Sequence, residues 1–190
     1  MLRNSNVAMN NLEKKVWGVT GNVGMGKTDL CNILGEKDNV RVLDCDKIAK
    51  NLVIADKSIF KDPVKLKAVE DYVHPKVWEY ITGQIEADDK EIYIIESAII
   101  FEIGWDKRIP NIIVVRCSPE EQLKRIRRQH ASWTREDIEH RLKYQLPIEL
   151  KERMAKIVID NEGTKEGLRE KAEKVYSIIS QRLPEGRIVL

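Results

Sequence analysis

The segment Gly21–Thr28 (GNVGMGKT) constrains the fold of this chain more than any other part of it, because it follows a short apolar run and precedes a helical pattern. It fits the pattern Gly-x-x-x-x-Gly-Lys-[Ser/Thr]. In such a loop the glycines allow successive backbone N–H groups to point into one concave nest that binds anions. A helix that begins at Lys27 adds the positive end of its dipole.

Each residue type in this loop, named the P-loop below, has a predicted role in binding a nucleoside triphosphate. Lys27 is expected to reach the β- and γ-phosphates, and the Thr28 hydroxyl to ligate Mg²⁺. The residues expected to cradle the phosphates are Asn22, Val23, Gly24, Met25 and Gly26. A glycine-rich turn without a ligand is the alternative, and the strand before the loop and the helix after it disfavour that alternative.

Five short runs rich in Val and Ile predict buried strands. They are Lys15–Thr20, Val40–Asp44, Glu91–Ile95, Asn111–Arg116 and Ile157–Ile159. Four of them are almost continuously apolar, which is typical of parallel strands covered by helices on both faces. Helix starts are indicated between and after these strands by Ser118 with Pro119, by Thr134 with Asp137, by Pro147 and by Thr164. This alternation predicts an α/β fold with a parallel five-stranded sheet flanked by helices.

The segment from about residue 119 to 150 is long, basic and almost purely helical between two strands. It is longer than a simple crossover requires, so we predict that it is a lid. The predicted domain covers residues 15–182, with a polar N-terminal extension at 1–14 and a C-terminal tail at 183–190.

Composition limits the partners that we expect. The chain has 33 Lys and Arg against 31 Asp and Glu, a net charge of +2, which disfavours a dedicated nucleic-acid binder. The strongest apolar stretch, residues 92–101, is interrupted by Glu96, and residues 1–14 lack the apolar core of a signal peptide, so neither a membrane partner nor export is expected. A reducing cytoplasm fits the three widely spaced cysteines, Cys31, Cys45 and Cys117.

Acidic residues end two of the predicted strands. Asp44 and Asp46 are two residues apart, on the same side of an extended chain, and ligands of open α/β sheets bind at the carboxyl ends of the strands. One carboxylate would help to hold Mg²⁺ and the other would accept a proton from an attacking hydroxyl. The alternative is a turn residue followed by a helix N-cap at Asp46. Glu96 either contacts metal or substrate or forms a structural salt bridge.

Basic residues cluster in the predicted lid: Lys124, Arg125, Arg127, Arg128, Arg135, Arg141 and Lys143. Spacings of four residues from Glu120 and Glu121 indicate that part of this cluster forms surface ion pairs. Phosphoryl transfer, however, requires cations that stabilise the migrating charge. We therefore predict that at least one arginine of the lid contacts phosphate.

Several segments in order resemble the dephospho-coenzyme A kinase family. They are the P-loop from Val19, Leu43–Asp46 (LDCD), His74-Pro75, Glu96–Glu102 (ESAIIFE), Gln122–Arg128 (QLKRIRR), Arg141–Gln145 (RLKYQ) and Ile159–Gly163 (IDNEG). The resemblance covers about residues 15 to 182. It implies a three-layer P-loop kinase fold with a helical lid, and ATP- and Mg²⁺-dependent phosphorylation of the 3′-hydroxyl of dephospho-coenzyme A, the last step of coenzyme A synthesis.

The resemblance also implies roles for individual residues. Asp46 is implied to be the general base, and Asp44 its neighbour near the metal and the acceptor. Arg125 is implied to be the lid arginine that closes on the phosphates. Asn161 and Gly163 fall where the family has its adenine-side loop.

The acceptor is implied to bind at a helical region over about residues 46–90. His74 and Ile99 fall at acceptor-pocket positions, although His74 is equally compatible with a capped turn before Pro75. Dephospho-coenzyme A and ATP are then the expected partners of a monomer or weak homo-oligomer. The sequence departs from the family at Lys50 (usually Arg), at Ala98 (usually Pro), at Lys156 (an expected Asp) and in a short stretch over residues 46–74.

Two other functions are compatible with the motifs. Another P-loop small-molecule kinase, such as a nucleoside monophosphate kinase, would share the loop and the lid but use a different acceptor. A nucleotide-gated regulatory protein would hydrolyse slowly and use a partner surface. The chain contains no Asn-Lys-x-Asp sequence of the kind that specifies guanine, which disfavours a GTPase switch.

Overall fold

The computed structural model of the protein describes residues 16–52, 63–181 and 186–190, without the side chains of residues 63–71. The predicted extension at 1–14 and the first residue of the first predicted strand, Lys15, lie outside the described residues. So do residues 183–185 of the predicted tail and residues 53–62 of the short stretch over 46–74.

Six parallel strands form one sheet within the described residues, in the order β2-β3-β1-β4-β5-β6. The strands are β1 (Val16–Thr20), β2 (Val40–Asp44), β3 (Ile92–Glu96), β4 (Asn111–Arg116), β5 (Ile157–Asp160) and β6 (Ile188–Val189). The five predicted strands are confirmed to within one residue at their described ends. The predicted sheet lacked β6, because two residues are too short to show the period of a strand.

Seven α-helices lie within the described ranges: α1 (Lys27–Leu34), α2 (Cys45–Leu52), α3 (Pro63–Ala87), α4 (Pro119–Gln129), α5 (Arg135–Lys143), α6 (Ile148–Met154) and α7 (Lys165–Ser180). The predicted caps are confirmed, since the Ser118, Thr134 and Thr164 hydroxyls each accept a backbone N–H in the first turn of α4, α5 and α7. Pro147 precedes α6 as predicted. Residues 119–150, the segment predicted to be a lid, comprise α4, α5 and the start of α6. The word lid is used below only as a name for this segment.

Apolar side chains pack on both faces of the sheet. Ile95 on one face packs with Ile81 of α3, and Ile94 on the other packs with Leu30 of α1 and Val175 of α7; all five are fully buried. Consecutive residues of a strand point to opposite faces, so a strand covered on both sides must be apolar throughout. This confirms the predicted three-layer α/β fold.

The longest helix, α3, continues through His74 and Pro75. The turn considered for this dipeptide is therefore wrong, even though a proline in a helix interior removes one backbone hydrogen bond. Neither α3 nor any other helix in the described part of the chain combines the length and the apolarity needed to cross a membrane.

We expect removal of residues 188–190 to destabilise the protein. Three backbone hydrogen bonds would be lost, from Ile188 to Lys156, from Leu190 to Val158 and from Asp160 to Leu190. At about 1 kcal/mol each, the free energy of unfolding measured in urea should fall by about 2–3 kcal/mol. Val189→Ser is the control, because it changes an exposed side chain and keeps these bonds. A loss below about 0.5 kcal/mol would contradict the assignment of β6.

Candidate active site

The P-loop joins β1 to α1, as predicted. Gly24 and Gly26 have φ values of 80° and 89°, a region that L side chains rarely adopt. Space is also restricted. A Cβ atom on Gly24 would lie 2.7 Å from Ile126 of α4, and one on Gly26 would collide with the side-chain amide of Asn161. These two glycines are therefore required both by the backbone and by the elements packed against the loop.

The P-loop forms one wall of a pocket of about 710 Å³. The predicted site residues that line it are Lys27, Thr28, Asp46, Glu96 and Ile99, with Val23, Gly24 and Gly26 of the loop. Residues of the lid, among them His130, Arg141 and Gln145, also line it. The remaining predicted residues, Asn22, Met25, Asp44, His74, Arg125, Asn161 and Gly163, are described but do not line this pocket. His74 instead lies edge-on to Trp105 of a short 3₁₀ turn, 6.3 Å between ring centroids.

A buried carboxylate and a lysine share the floor of the pocket. Glu96, at the end of β3, is 6% exposed and accepts a 2.5 Å hydrogen bond from the Thr28 hydroxyl. Burial raises the pKa of Glu96, and hydrogen bonds from Thr28 and the buried Cys31 thiol oppose that shift. Burial lowers the pKa of Lys27, and the negative charges of Glu96 and Asp46 oppose that shift. The Lys27 ammonium donates to the Asn22 carbonyl at 3.4 Å.

The two aspartates after β2 have different environments. Helix α2 begins at Cys45, so the extended chain predicted through Asp46 is wrong. The charges of both aspartates nevertheless act on the pKa of Lys27 in the P-loop. Asp44 accepts the Lys47 backbone N–H at 3.0 Å and pairs with the Lys47 ammonium at 3.0 Å. The helix cap is therefore Asp44 rather than Asp46, and Asp46, in the first turn of α2, faces the pocket.

Two glutamines of the lid hold the peptide groups of Val23. Gln122 of α4 donates to the Val23 carbonyl at 2.8 Å, and Gln145 accepts the Val23 backbone N–H at 3.0 Å. Asn22 also donates to the Leu146 carbonyl at 3.2 Å. Sequence reasoning assigned no role to either glutamine, although both lie in segments that resemble the family, Gln122–Arg128 and Arg141–Gln145.

Arg125 and Asn161 brace the P-loop. The Arg125 guanidinium is 10% exposed and donates through Nε to Glu121 and through Nη2 to the Asn161 carbonyl, both at 2.8 Å. Asn161 donates its amide to the Met25 carbonyl at 3.0 Å. Nη1 of Arg125 lies beside Gly26 and has no hydrogen-bond partner among the described residues. A buried donor thus remains available next to the phosphate-binding loop.

The lid wall of the pocket combines aromatic rings and cations. His130 stacks on Trp133 with the ring centroids 3.8 Å apart, and the Arg141 guanidinium lies 4.4 Å from the Trp133 ring centroid. Burial and the charge of Arg141 both lower the pKa of His130. Of the basic lid residues singled out in the sequence, Arg141 is the one that lines the pocket. Its stacking on Trp133 was not predicted.

The family model for dephospho-CoA kinase matches residues 54–166, more than half of the chain. The chain belongs to the dephospho-CoA kinase family. A dephospho-CoA kinase of Chlorobium luteolum is 28% identical over an alignment of 204 positions, which spans 89% of this chain and 92% of that protein.

Solved structures share the fold of this chain. A crystal structure of a Thermus thermophilus protein has a TM-score of 0.74 and 26% identity, over 87% of this chain and 97% of that one. A shikimate kinase from Acinetobacter baumannii has a TM-score of 0.63 and 18% identity, over 90% and 97% of the two chains, which shows a shared fold. The family and the three-layer P-loop kinase fold implied by the sequence motifs are thus confirmed.

We expect Gly26→Ala to weaken binding of an ATP analogue by at least about tenfold. The new methyl group would have to occupy the space of the Asn161 amide, at a φ of 89° that costs about 1–3 kcal/mol for a non-glycine residue. Calorimetric titration measures the affinity. Gly83→Ala is the matched control, because Gly83 lies in α3 with no atom within 4 Å of the added carbon. Equal affinities of the two variants would contradict the close packing.

Proposed function

We propose that this member of the dephospho-CoA kinase family transfers the γ-phosphoryl group of ATP to the 3′-hydroxyl of dephospho-coenzyme A, giving coenzyme A and ADP. The observation that carries the proposal is the composition of one pocket. The P-loop with Lys27 and Thr28 meets Asp46 from α2 and Ile99 from the segment after β3. A phosphate-binding surface, a carboxylate and an apolar contact for an acceptor therefore face the same space.

We assign the phosphates of ATP to the P-loop. Its backbone N–H groups and the positive end of α1 favour anions, and Lys27 carries the charge that reaches the β- and γ-phosphates. Arg125 supplies a further donor through Nη1, which is buried, unpartnered and next to Gly26. Donors fixed before the reaction stabilise developing charge without reorganisation, which supports a catalytic role for Arg125.

Asp46 is assigned as the proton acceptor. The 3′-oxygen of the acceptor forms a bond to the γ-phosphorus, the bond from that phosphorus to the bridging oxygen breaks, and ADP leaves. The proton of the attacking hydroxyl passes to the Asp46 carboxylate. Asp44 is less suited to this step, because its oxygens already bind the backbone N–H and the ammonium of Lys47.

The residues around Thr28 fit Mg²⁺. Protein sites for Mg²⁺ typically offer one or two oxygen ligands and leave the rest to water and substrate phosphates. The Thr28 hydroxyl and the Glu96 carboxylate, 2.5 Å apart, supply such oxygens in the pocket. We therefore favour Thr28 with Glu96, rather than Thr28 with Asp44, as the holders of the metal. Bound there, Mg²⁺ would neutralise part of the phosphate charge.

Asn161 and Gly163 are proposed to lie beside the adenine ring of ATP. Asn161 binds the P-loop through Met25, and Gly163 is exposed in the loop that follows. We propose that the region of about residues 46–90 and Ile99 form the site of the acceptor, with His74 acting through the packing of α3 rather than by contact.

Two departures from the family pattern fall in or next to this proposed acceptor site. Lys50 is exposed on α2, within the region 46–90, and Ala98 precedes Ile99 and lines the pocket. We also propose that the protein is a monomer or a weak homo-oligomer and that it acts in the cytoplasm.

An assay of ADP release with several acceptors, combined with mass measurement of the product, tests the proposed function. Dephospho-coenzyme A is expected to gain one phosphoryl group, whereas nucleoside monophosphates are expected to remain unchanged. Lys27→Ala is the negative control and should abolish transfer, because the lysine addresses the β- and γ-phosphates. Phosphorylation of nucleoside monophosphates but not of dephospho-coenzyme A would instead indicate the alternative kinase.

Asp46→Asn tests the proton acceptor. Loss of a general base is expected to lower kcat by about 10²-fold or more, while the dissociation constant of ATP changes less than about threefold. Asp29→Asn is the matched control, because Asp29 also lines the pocket and has no assigned role. If kcat falls equally in both variants, the reaction depends on the negative charge of the pocket as a whole, and the assignment of Asp46 as proton acceptor is wrong.

A further inference from the structure

Lys151 of α6 is a fully buried lysine that the sequence patterns did not single out. Its side chain has 0% exposure, and its ammonium donates to the Ala98 carbonyl at 2.7 Å and pairs with Glu102 at 2.7 Å. A buried charge is costly unless it is paired and hydrogen-bonded. Burial lowers the pKa of Lys151. The hydrogen bond and the charge of Glu102 oppose that shift, and the charge of Lys27 in the P-loop adds to it.

The two partners of Lys151 contact different parts of the pocket lining. Ala98 lines the pocket together with Ile99, and these two residues are named the acceptor wall below. Glu102 uses the same oxygen, Oε1, to accept the backbone N–H of Leu146 at 2.8 Å. The neighbouring Gln145 accepts the Val23 N–H of the P-loop. A single ammonium thus connects the acceptor wall to the junction of lid and P-loop.

We propose that Lys151 is a positioning residue for the phosphoryl acceptor, holding the acceptor wall at a fixed distance from the P-loop through its bonds to Ala98 and Glu102. This inference rests on the proposed function, because it assumes that Ile99 faces the acceptor. Ala98 occupies a place where the family resemblance implies a proline. A proline fixes its own backbone φ, whereas here the external bond from Lys151 to the Ala98 carbonyl restrains the chain.

Helix α6 contains its own control. Glu152, the next residue, forms a 2.9 Å ion pair with Arg116 of β4, and its side chain is 13% exposed. Removal of this pair also weakens the docking of α6, but neither residue lines the pocket. Loss of helix docking and loss of acceptor positioning can therefore be separated on the same seven-residue helix.

Three variants test the role of Lys151 in the full chain: Lys151→Met, the double variant Lys151→Met/Glu102→Gln, and Lys151→Arg. The double variant removes the buried ammonium together with its half-buried carboxylate partner and keeps an acceptor for the Leu146 N–H. Its melting temperature should therefore recover relative to Lys151→Met. Neither of these two variants restores the bond to Ala98. Lys151→Arg keeps the charge and the donors.

We expect Lys151→Met and the double variant to raise the KM of dephospho-coenzyme A by at least tenfold, with the KM of ATP within threefold of the parent. Glu152→Gln should leave both KM values within twofold, and Lys151→Arg should recover most of the acceptor KM. Recovery of the acceptor KM in the double variant along with its melting temperature would overturn the proposal, because the lysine would then only stabilise the fold. The proposal would also be overturned if both KM values changed equally, or if neither Lys151→Met nor the double variant folded.

The parent protein separates this inference from the proposed function. If the parent does not phosphorylate dephospho-coenzyme A but does phosphorylate another acceptor, the proposed function fails, and the same split of KM values is then measured with that acceptor. If the parent phosphorylates dephospho-coenzyme A and the KM values do not split, only the role of Lys151 fails.

Discussion

The site depends on the close approach of the lid helix α4 and the loop after β5 to the P-loop. Gly24 and Gly26 leave room for Ile126 and for the Asn161 amide, and Arg125 bonds to Asn161 from the other side. The shape of the phosphate-binding loop is therefore set by elements about 100 and 135 residues further along the chain. A loop with the correct glycines but without these neighbours would keep its flexibility and lose its fixed nest of N–H groups.

The fold was largely predictable because its elements have strong local patterns. Apolar runs marked five strands, and Ser118, Thr134 and Thr164 marked helix starts with side chains that cap as their chemistry requires. The edge strand β6 was missed, because two residues paired with a distant strand leave no periodic pattern. The site was predictable only in part. The P-loop is a contiguous motif, whereas Lys151 and Gln145 act through contacts between distant segments that a single sequence does not reveal.

The near balance of 33 basic and 31 acidic residues hides a concentration of charged groups in one pocket. Carboxylates of Asp29, Asp46 and Glu96 line this pocket together with Lys27 of the P-loop and Arg141 of the lid. Acidic and basic groups in one pocket suit a substrate that carries phosphates and needs a proton acceptor. The extended backbone predicted for Asp44 and Asp46 was wrong because α2 begins at Cys45, so that Asp44 caps the helix and Asp46 lines the pocket.

The burial of Cys31, whose pKa is influenced by Glu96, has a consequence for the reactivity of its thiol. Thiolate is the form of cysteine that oxidants and electrophiles attack. Burial and the negative charge of Glu96 raise the pKa of Cys31 well above its usual value, and burial also raises the pKa of Cys45 and Cys117. All three cysteines are buried and free. Burial and a raised pKa both disfavour the thiolate at Cys31, so the helix that follows the P-loop carries its cysteine in the form that oxidants attack least.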